Sequence, residues 1–136
     1  MSDEATKAPR APGTAEIDLV ARSIVDAALE VHRAIGPGYL ESVYEEALAH
    51  ELSLRGIGFV RQPAIEIGYK GHRVGQGRLD FLVGGCVIVE LKAVDAIADL
   101  HVAQALSYLR ATGLRLALLI NFNTPLLKRG IRRVAL

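Results

Sequence analysis

The chain has 136 residues, enough for one domain with a core of its own and too few for two full domains. Its single cysteine excludes an internal disulfide framework and a multi-cysteine zinc site, and 5% aromatic residues with no tryptophan argue against a broad base-stacking surface. No apolar run is long enough to span a membrane, and the polar start lacks a secretory signal, so we expect a cytoplasmic protein without a membrane partner.

The net charge of +1 hides an uneven distribution along the chain. Residues 1–56 contain 5 basic and 10 acidic residues, whereas residues 57–136 contain 11 basic and 5 acidic ones. A basic second half is suited to a polyanion such as nucleic acid. The alternative is that the charges are scattered over a solvated surface, and the sequence leaves both interpretations open.

The N-terminal part is predicted to form a short tail followed by two helices. Residues 1–13 contain two prolines and mixed charges, which is typical of a disordered tail, so a single domain is expected over residues 14–136. Apolar residues recur at helical spacing from Ile17 to Ile35, where Gly-Pro-Gly ends the pattern. A second helix is predicted from about Leu40 to Leu54.

Strand-like segments follow the second helix. Short runs of strand-forming residues occupy positions 59–60 and 65–67, and a turn is predicted at 69–72. Residues 73–83 are predicted to form one longer strand, which Gly84-Gly85 ends in a tight hairpin turn.

The last third of the chain contains two apolar strands joined by a helix. The nearly continuous apolar runs over residues 86–92 and 114–122 are typical of strands buried on both faces. Helical spacing over residues 97–112 places a helix between them, and residues 131–136 are expected to form a last short strand. The order α-α-β-β-β-α-β-(β) predicts an α/β fold with one mixed central sheet flanked by helices.

Two charged residues end the first apolar strand. Glu90 and Lys92 are two positions apart, so their side chains emerge on the same face of the sheet. Because burying either charge alone is costly, each needs a partner, a metal ion or solvent. The alternative is a strand that reaches the surface and ends in an ordinary ion pair.

Asp80 lies one hairpin before Glu90, and the register of that hairpin decides whether the two carboxylates meet. A two-residue turn pairs Asp80 with Val89, whereas a three-residue turn or a bulge pairs it with Glu90. The sequence leaves this open, as it does the interpretation of Asp80 as a lone surface residue. If the carboxylates converge, their repulsion calls for a cation, and hard oxygen ligands suit Mg²⁺ or Mn²⁺. Lys92 beside them would orient a water for phosphodiester hydrolysis.

Polar residues on two helices are further candidates. His101, Gln104 and Tyr108 share one face of the third helix. Glu41 and Tyr44 lie on one side of the second helix, where Glu41 in the first turn also favours the helix dipole. The polar residues of the third helix are also typical of a helix face at the solvent boundary, and the helix dipole is an adequate structural reason for Glu41.

Taken together, these residues resemble the GxxExxY protein family. Gly38, Glu41 and Tyr44 match the pattern that gives the family its name. The resemblance runs from about residue 17 to 133 and includes Tyr69-Lys70-Gly71, Leu79-Asp80, Glu90-Leu91-Lys92-Ala93-Val94, His101-Val102-Ala103-Gln104, Tyr108-Leu109 and Ile120-Asn121-Phe122. That family is similar to the PD-(D/E)XK nuclease superfamily, whose αβββαβ core agrees with the predicted order plus one additional N-terminal helix.

The resemblance implies roles for the candidate residues. The superfamily's aspartate falls on Asp80 and its E-x-K pair on Glu90 and Lys92, although a leucine precedes Asp80 where the superfamily name has a proline. The spacing of Gln104 and Tyr108 resembles the QxxxY element of RecB-type nucleases. The implied catalytic residues are Asp80, Glu90, Lys92 and Gln104.

The implied cofactor is Mg²⁺ or Mn²⁺. Its ligands would be Asp80, Glu90, the carbonyl of Leu91 and Glu41, with Glu45 as the rival of Glu41 on the second helix. The residues expected to support the site are Glu41, Tyr44, Tyr108 and His101.

Two functional hypotheses follow. The first is a metal-dependent nuclease acting on DNA or RNA, whose backbone would be contacted by Arg73, Arg78, Lys128, Arg129, Arg132 and Arg133. The alternative is a non-catalytic module on a nuclease fold that binds nucleic acid or protein. In that case the acidic first half would bind a protein partner or a second copy of the chain, so a homo-oligomer is also considered.

Overall fold

Two helices begin the part of the chain that the structure describes. The computed structural model describes residues 12–136, so residues 1–11 of the predicted disordered tail lie outside the described residues. The structure contains helices α1 (Thr14–Ile35) and α2 (Glu41–Leu54), which confirm the two helices predicted from the spacing of apolar residues. Between them Gly36 and Gly38 adopt φ values of 70° and 104°, which glycine reaches without a steric penalty. Within residues 12–136 no helix has both the length and the apolar character that crossing a membrane requires.

A mixed five-stranded sheet forms the centre of the fold. The remaining elements are β1 (Phe59–Arg61), β2 (Ala64–Tyr69), β3 (His72–Arg78), β4 (Phe81–Val83), β5 (Val87–Lys92), α3 (Asp99–Thr112), β6 (Leu116–Asn121), a 3₁₀ helix (Leu127–Gly130) and β7 (Ile131–Ala135). The strand order is β1-β4-β5-β6-β7. Only β5 and β6 pair in parallel, because α3 connects them as a crossover. This arrangement confirms the predicted α/β fold with a mixed sheet and helices on its faces.

Strands β2 and β3 form a separate two-stranded sheet. The prediction of one continuous strand over residues 73–83 is therefore wrong, because the chain breaks between β3 and β4. Leu79 is buried among residues of the α3 side, whereas Phe81 is buried on the side of α1 and α2. Two residues two positions apart in a regular strand would share one face, so the chain bends at Asp80.

The two apolar strands are buried on both faces, as their composition predicted. In β5, Val87, Val89 and Leu91 pack against α1 and α2, while Ile88 packs on the opposite side with α3. Every residue of β6 is buried. Because both faces are covered, only the ends of these central strands present side chains to solvent.

The hairpin between β4 and β5 has the three-residue connection. Gly84 and Gly85 have φ values of 60° and 68°, and the amide of Cys86 donates to the carbonyl of Val83. Val83 pairs with Val87, and the following pairs continue this register along the strands. Extending the register by one residue beyond β4 places Asp80 opposite Glu90, the arrangement that the sequence left open.

Gly130 marks the closest backbone approach at the β6–β7 connection. A Cβ atom on Gly130 would lie 2.2 Å from the carbonyl oxygen of Asn121 and 3.0 Å from Cγ2 of Thr124. We expect Gly130→Ala to lower the free energy of unfolding by about 2–3 kcal/mol, because the backbone must shift to accept the methyl group. Gly75→Ala is the control, since no heavy atom lies within 4 Å of its Cβ position. Urea unfolding measures both variants, and equal losses would contradict the steric explanation.

Candidate active site

Asp80 and Glu90 meet across the β4–β5 junction. Oε2 of Glu90 accepts a hydrogen bond from the backbone amide of Asp80 at 3.1 Å. Oδ2 of Asp80 in turn accepts one from the amide of Leu91 at 2.7 Å. These reciprocal bonds replace the backbone ladder at the point where β4 begins. The structure therefore brings together the two carboxylates that the sequence singled out.

The electrostatics of this pair are unfavourable without a neutralising partner. Glu90 is only 5% exposed. Its burial, followed by the negative charge of Asp80, raises the pKa of Glu90 to about 8, although the amide of Asp80 and the charge of Lys92 act in the opposite direction. A proton or a bound cation would relieve this repulsion.

The donor atoms fit a small divalent cation. Each carboxylate uses one oxygen on a backbone amide. The second Asp80 oxygen, Oδ1, has a 3.4 Å contact with the side-chain nitrogen Nε2 of Gln62. Within residues 12–136 no three His, Cys, Asp or Glu side chains converge closely enough to form an all-protein cage. Mg²⁺ is commonly bound through one or two carboxylates, with water and substrate phosphate completing the shell. Two carboxylates are thus oxygen donors of the kind through which Mg²⁺ or Mn²⁺ would be held.

Lys92 lies two residues beyond Glu90 on the same face of β5. It is half-buried, and none of the ion pairs found between residues 12 and 136 includes it. Its side chain lines a cavity of about 470 Å³ together with His101 and Gln104 of α3. Two of the three polar residues predicted to share a face of α3 therefore lie beside the lysine.

The α3 residues differ in what they contact. Nδ1 of His101 accepts from the amide of Ala98 at 2.9 Å, so this side chain caps the start of α3. Gln104 is exposed at the lysine cavity. Tyr108 is half-buried; burial and then the charges of Glu90 and Asp80 raise the pKa of Tyr108. Tyr108 thus lies within electrostatic reach of the acid pair.

Glu41 approaches the acid pair from the first turn of α2. Partial burial and the charge of Asp80 raise the pKa of Glu41, whereas the charge of Lys92 lowers it. Its rival Glu45 is already engaged, because one oxygen accepts from Arg61 at 2.6 Å and the other from Gln62 at 2.5 Å. Of the two acidic residues considered on α2, Glu45 is therefore committed to Arg61 and Gln62.

Tyr44 is a core residue that fixes the loop before α2. It is fully buried and stacks on Phe122 with ring centroids 4.5 Å apart. Its hydroxyl donates to the carbonyl of Gly36 at 2.6 Å and accepts from the amide of Tyr39 at 3.2 Å. Tyr44 therefore holds the loop between α1 and α2 against the core.

Sequence reasoning missed Gln62, which holds Asp80 from a third direction. Its amide nitrogen Nε2 bridges Glu45 and Asp80, and its backbone amide donates to the carbonyl of Asp80 at 2.9 Å. Its own carbonyl accepts from Arg78 at 2.8 Å. Gln62 has a φ of 53°, a left-handed conformation that residues other than glycine rarely adopt. The only sequence signal is its position before Pro63, which does not indicate these contacts.

Asn121 anchors the segment that follows Lys92. It is 4% exposed and is the register partner of Lys92 on β6. Its side chain accepts from the amide of Val94 at 3.1 Å and donates to the carbonyl of Val94 at 2.8 Å. Asn121 belongs to one of the motifs that carry the family resemblance, and its contacts with Val94 were not predicted from the sequence.

The six basic residues expected to contact nucleic acid are divided between different surfaces. Arg73 pairs with Glu66 on the β2–β3 hairpin, and Arg78 contacts Gln62. The remaining four are exposed on the C-terminal segment and are Lys128, Arg129, Arg132 and Arg133. Arg133 pairs with Asp18 of α1 at 2.9 Å. The Arg133–Asp18 pair lies on the α1 side of the sheet, which is the face opposite Glu90, because successive side chains of β7 point to opposite faces.

The chain belongs to the PD-(D/E)XK nuclease superfamily. The model of that superfamily matches residues 18–134, nearly the whole of the described chain. Comparisons with curated proteins and with solved structures give no match. The superfamily expected from the sequence is thereby confirmed, and the narrower GxxExxY assignment stays a prediction.

The charge of Glu90 should make the metal-free protein sensitive to pH. Because the folded-state pKa of about 8 exceeds the ordinary 4.5, the stabilisation from the bound proton is complete below pH 4.5 and is lost as the pH rises through 8. Glu90→Gln keeps an oxygen acceptor and removes the charge, so we expect it to be more stable than wild type by about 1–2 kcal/mol in alkaline buffer without divalent metal. Urea unfolding over this pH range, with exposed Glu66→Gln as control, measures the effect. A Glu90→Gln variant less stable at every pH would contradict this explanation.

Gln62 should be intolerant of an acidic replacement. Gln62→Glu substitutes a carboxylate oxygen for the donor that faces Glu45 and Asp80, so we expect the free energy of unfolding to fall by about 2 kcal/mol. Gln76→Glu adds the same charge at an exposed position of β3 and is expected to change stability little. Thermal unfolding at neutral pH compares the two, and similar midpoints would show that the Gln62 contacts contribute nothing.

Proposed function

We propose that this protein is a divalent-metal-dependent nuclease that hydrolyses phosphodiester bonds of DNA or RNA. The observation that carries the proposal is the convergence of Asp80 and Glu90 at a sheet junction, with Lys92 on the same face two residues later. Superfamily membership supports the same conclusion. A nucleic-acid partner follows from the activity, because the nucleic-acid backbone carries the scissile phosphodiester.

Asp80 and Glu90 would hold Mg²⁺ or Mn²⁺, with the carbonyl of Leu91 and, directly or through water, Glu41. When bound, the metal supplies positive charge for the phosphate and lowers the pKa of water near it. The chain's own contribution is to fix the ligands: reciprocal bonds to backbone amides hold both carboxylates, and Gln62 holds Asp80 from the side of β1.

Lys92 would position the attacking water. Its half-buried ammonium group lacks a protein counter-ion in the described residues, so it is available to a hydroxide or to a phosphate oxygen. Gln104, across the shared cavity, would orient Lys92 or the phosphate. Tyr108 would support the acid pair from α3, while His101 and Tyr44 position α3 and the start of α2.

Removal of a metal ligand or of the lysine should abolish cleavage. We expect Asp80→Asn and Lys92→Ala to lower the rate at least about 100-fold with Mg²⁺ or Mn²⁺, because each removes a group that acts at the reacting phosphate. Lys70→Ala, which removes an exposed lysine from the β2–β3 turn, is the control and should cut at the wild-type rate. Single-stranded, duplex and structured DNA and RNA serve as substrates.

Calorimetric titration with Mn²⁺ distinguishes a loss of metal binding from a loss of catalysis alone. Lys92→Ala should still bind Mn²⁺, whereas Asp80→Asn should not. Unchanged cleavage in both variants would overturn the assignment of the site. A protein that binds nucleic acid, but cuts no substrate with either metal, would instead favour the non-catalytic module.

A further inference from the structure

A row of register partners connects the acid pair to the edge strand β7. Glu90 on β5 pairs with Leu119 on β6, and Leu119 pairs with Arg132 on β7. Partners in register share a face of the sheet, and Leu119 packs on the α3 side together with Val134 of β7. Arg132 therefore lies on the face that carries Glu90. Two strand spacings of about 4.8 Å separate the backbones, a distance of about 10 Å.

Arg132 lines a cavity of about 240 Å³ at the end of this row, here called the β7 pocket. Its polar wall is formed by Asp95, Asn121, Thr124, Arg129 and Arg132. With two arginines and one aspartate among them, the lining residues carry a net positive charge. Because Asn121 also fixes the segment after Lys92, the β7 pocket adjoins the end of β5 that carries the proposed catalytic residues.

The arginines of the β7 pocket differ from the paired arginines elsewhere. In the chain from residue 12 onward, neither Arg129 nor Arg132 takes part in an ion pair. By contrast, Arg133, the neighbour of Arg132 on the same strand, pairs with Asp18 on the other face. Guanidinium groups bind phosphate with two parallel hydrogen bonds, so an uncommitted pair in one cavity is suited to a phosphate group.

We propose that the β7 pocket binds a backbone phosphate of the substrate strand, separate from the phosphate cut at Asp80 and Glu90. This inference rests on the proposed function, since it places a second contact of the same substrate. A separation of about 10 Å places the second phosphate within a few nucleotides of the cut phosphate, since each nucleotide advances a duplex strand by about 3.4 Å along the axis and also winds round it. Substrates long enough to reach the pocket gain affinity from it, and a dinucleotide does not.

Binding measurements under non-cleaving conditions test the pocket. Fluorescence anisotropy with the full chain in EDTA compares a labelled single-stranded oligonucleotide with a labelled dinucleotide. We expect Arg132→Ala and Arg129→Ala each to raise the Kd for the oligonucleotide about three- to tenfold and to lower its salt dependence by about one phosphate contact. Binding of the dinucleotide should not change.

Arg133→Ala is the matched control, because it removes the same charge from the next residue on the opposite face. It should leave the Kd for the oligonucleotide unchanged. Equal losses in Arg132→Ala and Arg133→Ala would overturn the proposal, because a diffuse charge effect would then explain both. Inorganic phosphate that competes equally with the oligonucleotide for wild type and Arg132→Ala would also overturn it.

Binding and cleavage measured together distinguish a failure of this inference from a failure of the nuclease proposal. Weaker oligonucleotide binding by Arg132→Ala in a protein that cuts nothing supports the pocket and contradicts the nuclease. Cleavage by wild type with unchanged affinity in Arg132→Ala supports the nuclease and contradicts the pocket. A wild-type protein that binds neither DNA nor RNA contradicts both.

Discussion

The contact between Asp80 and Glu90 is the constraint on which the rest of the site depends. Each carboxylate accepts an amide of the neighbouring strand segment, so the pair is part of the connection between β4 and β5. The same bonds hold the two carboxyl groups together in a place where Glu90 is almost fully buried. Folding thus brings together two carboxyl groups whose simultaneous ionisation is unfavourable, and the cation of the proposed chemistry would relieve that repulsion.

The bend at Asp80 is what makes this arrangement available. In a regular strand the backbone ladder would continue through residues 79 and 80, and Leu79 would share a face with Phe81. Instead the two residues enter opposite cores, β2 and β3 leave the main sheet, and the carboxylates take over the hydrogen bonds of the ladder. Gln62, in a left-handed conformation, supports the bend from β1. The irregular backbone segment between the two sheets therefore determines where Asp80 and Glu90 lie.

Alternation along β7 divides the basic residues between two environments. Arg133 is neutralised by Asp18 beside α1, whereas Arg132 lies on the α3 face, in the row that contains Glu90. The basic residues of the second half of the sequence therefore do not form one continuous surface. The sheet separates these neighbouring positive charges: Arg133 forms an ion pair with Asp18, whereas Arg132 forms no ion pair within residues 12–136.

The sequence by itself determined the elements and the identity of the acid pair and lysine, because periodicity and apolar runs are local properties. The central strands and the three helices followed from them, whereas the superfamily followed from the resemblance of an ordered series of motifs. The register that brings Asp80 opposite Glu90 did not, since Gly84 and Gly85 permit turns of either length. The bend, the separate β2–β3 sheet and the contacts of Gln62 also came only from the tertiary structure. These features depend on whether each side chain packs on the α3 side or on the α1–α2 side of the sheet. Contacts between segments that are distant in the chain decide this, so local sequence patterns do not predict it.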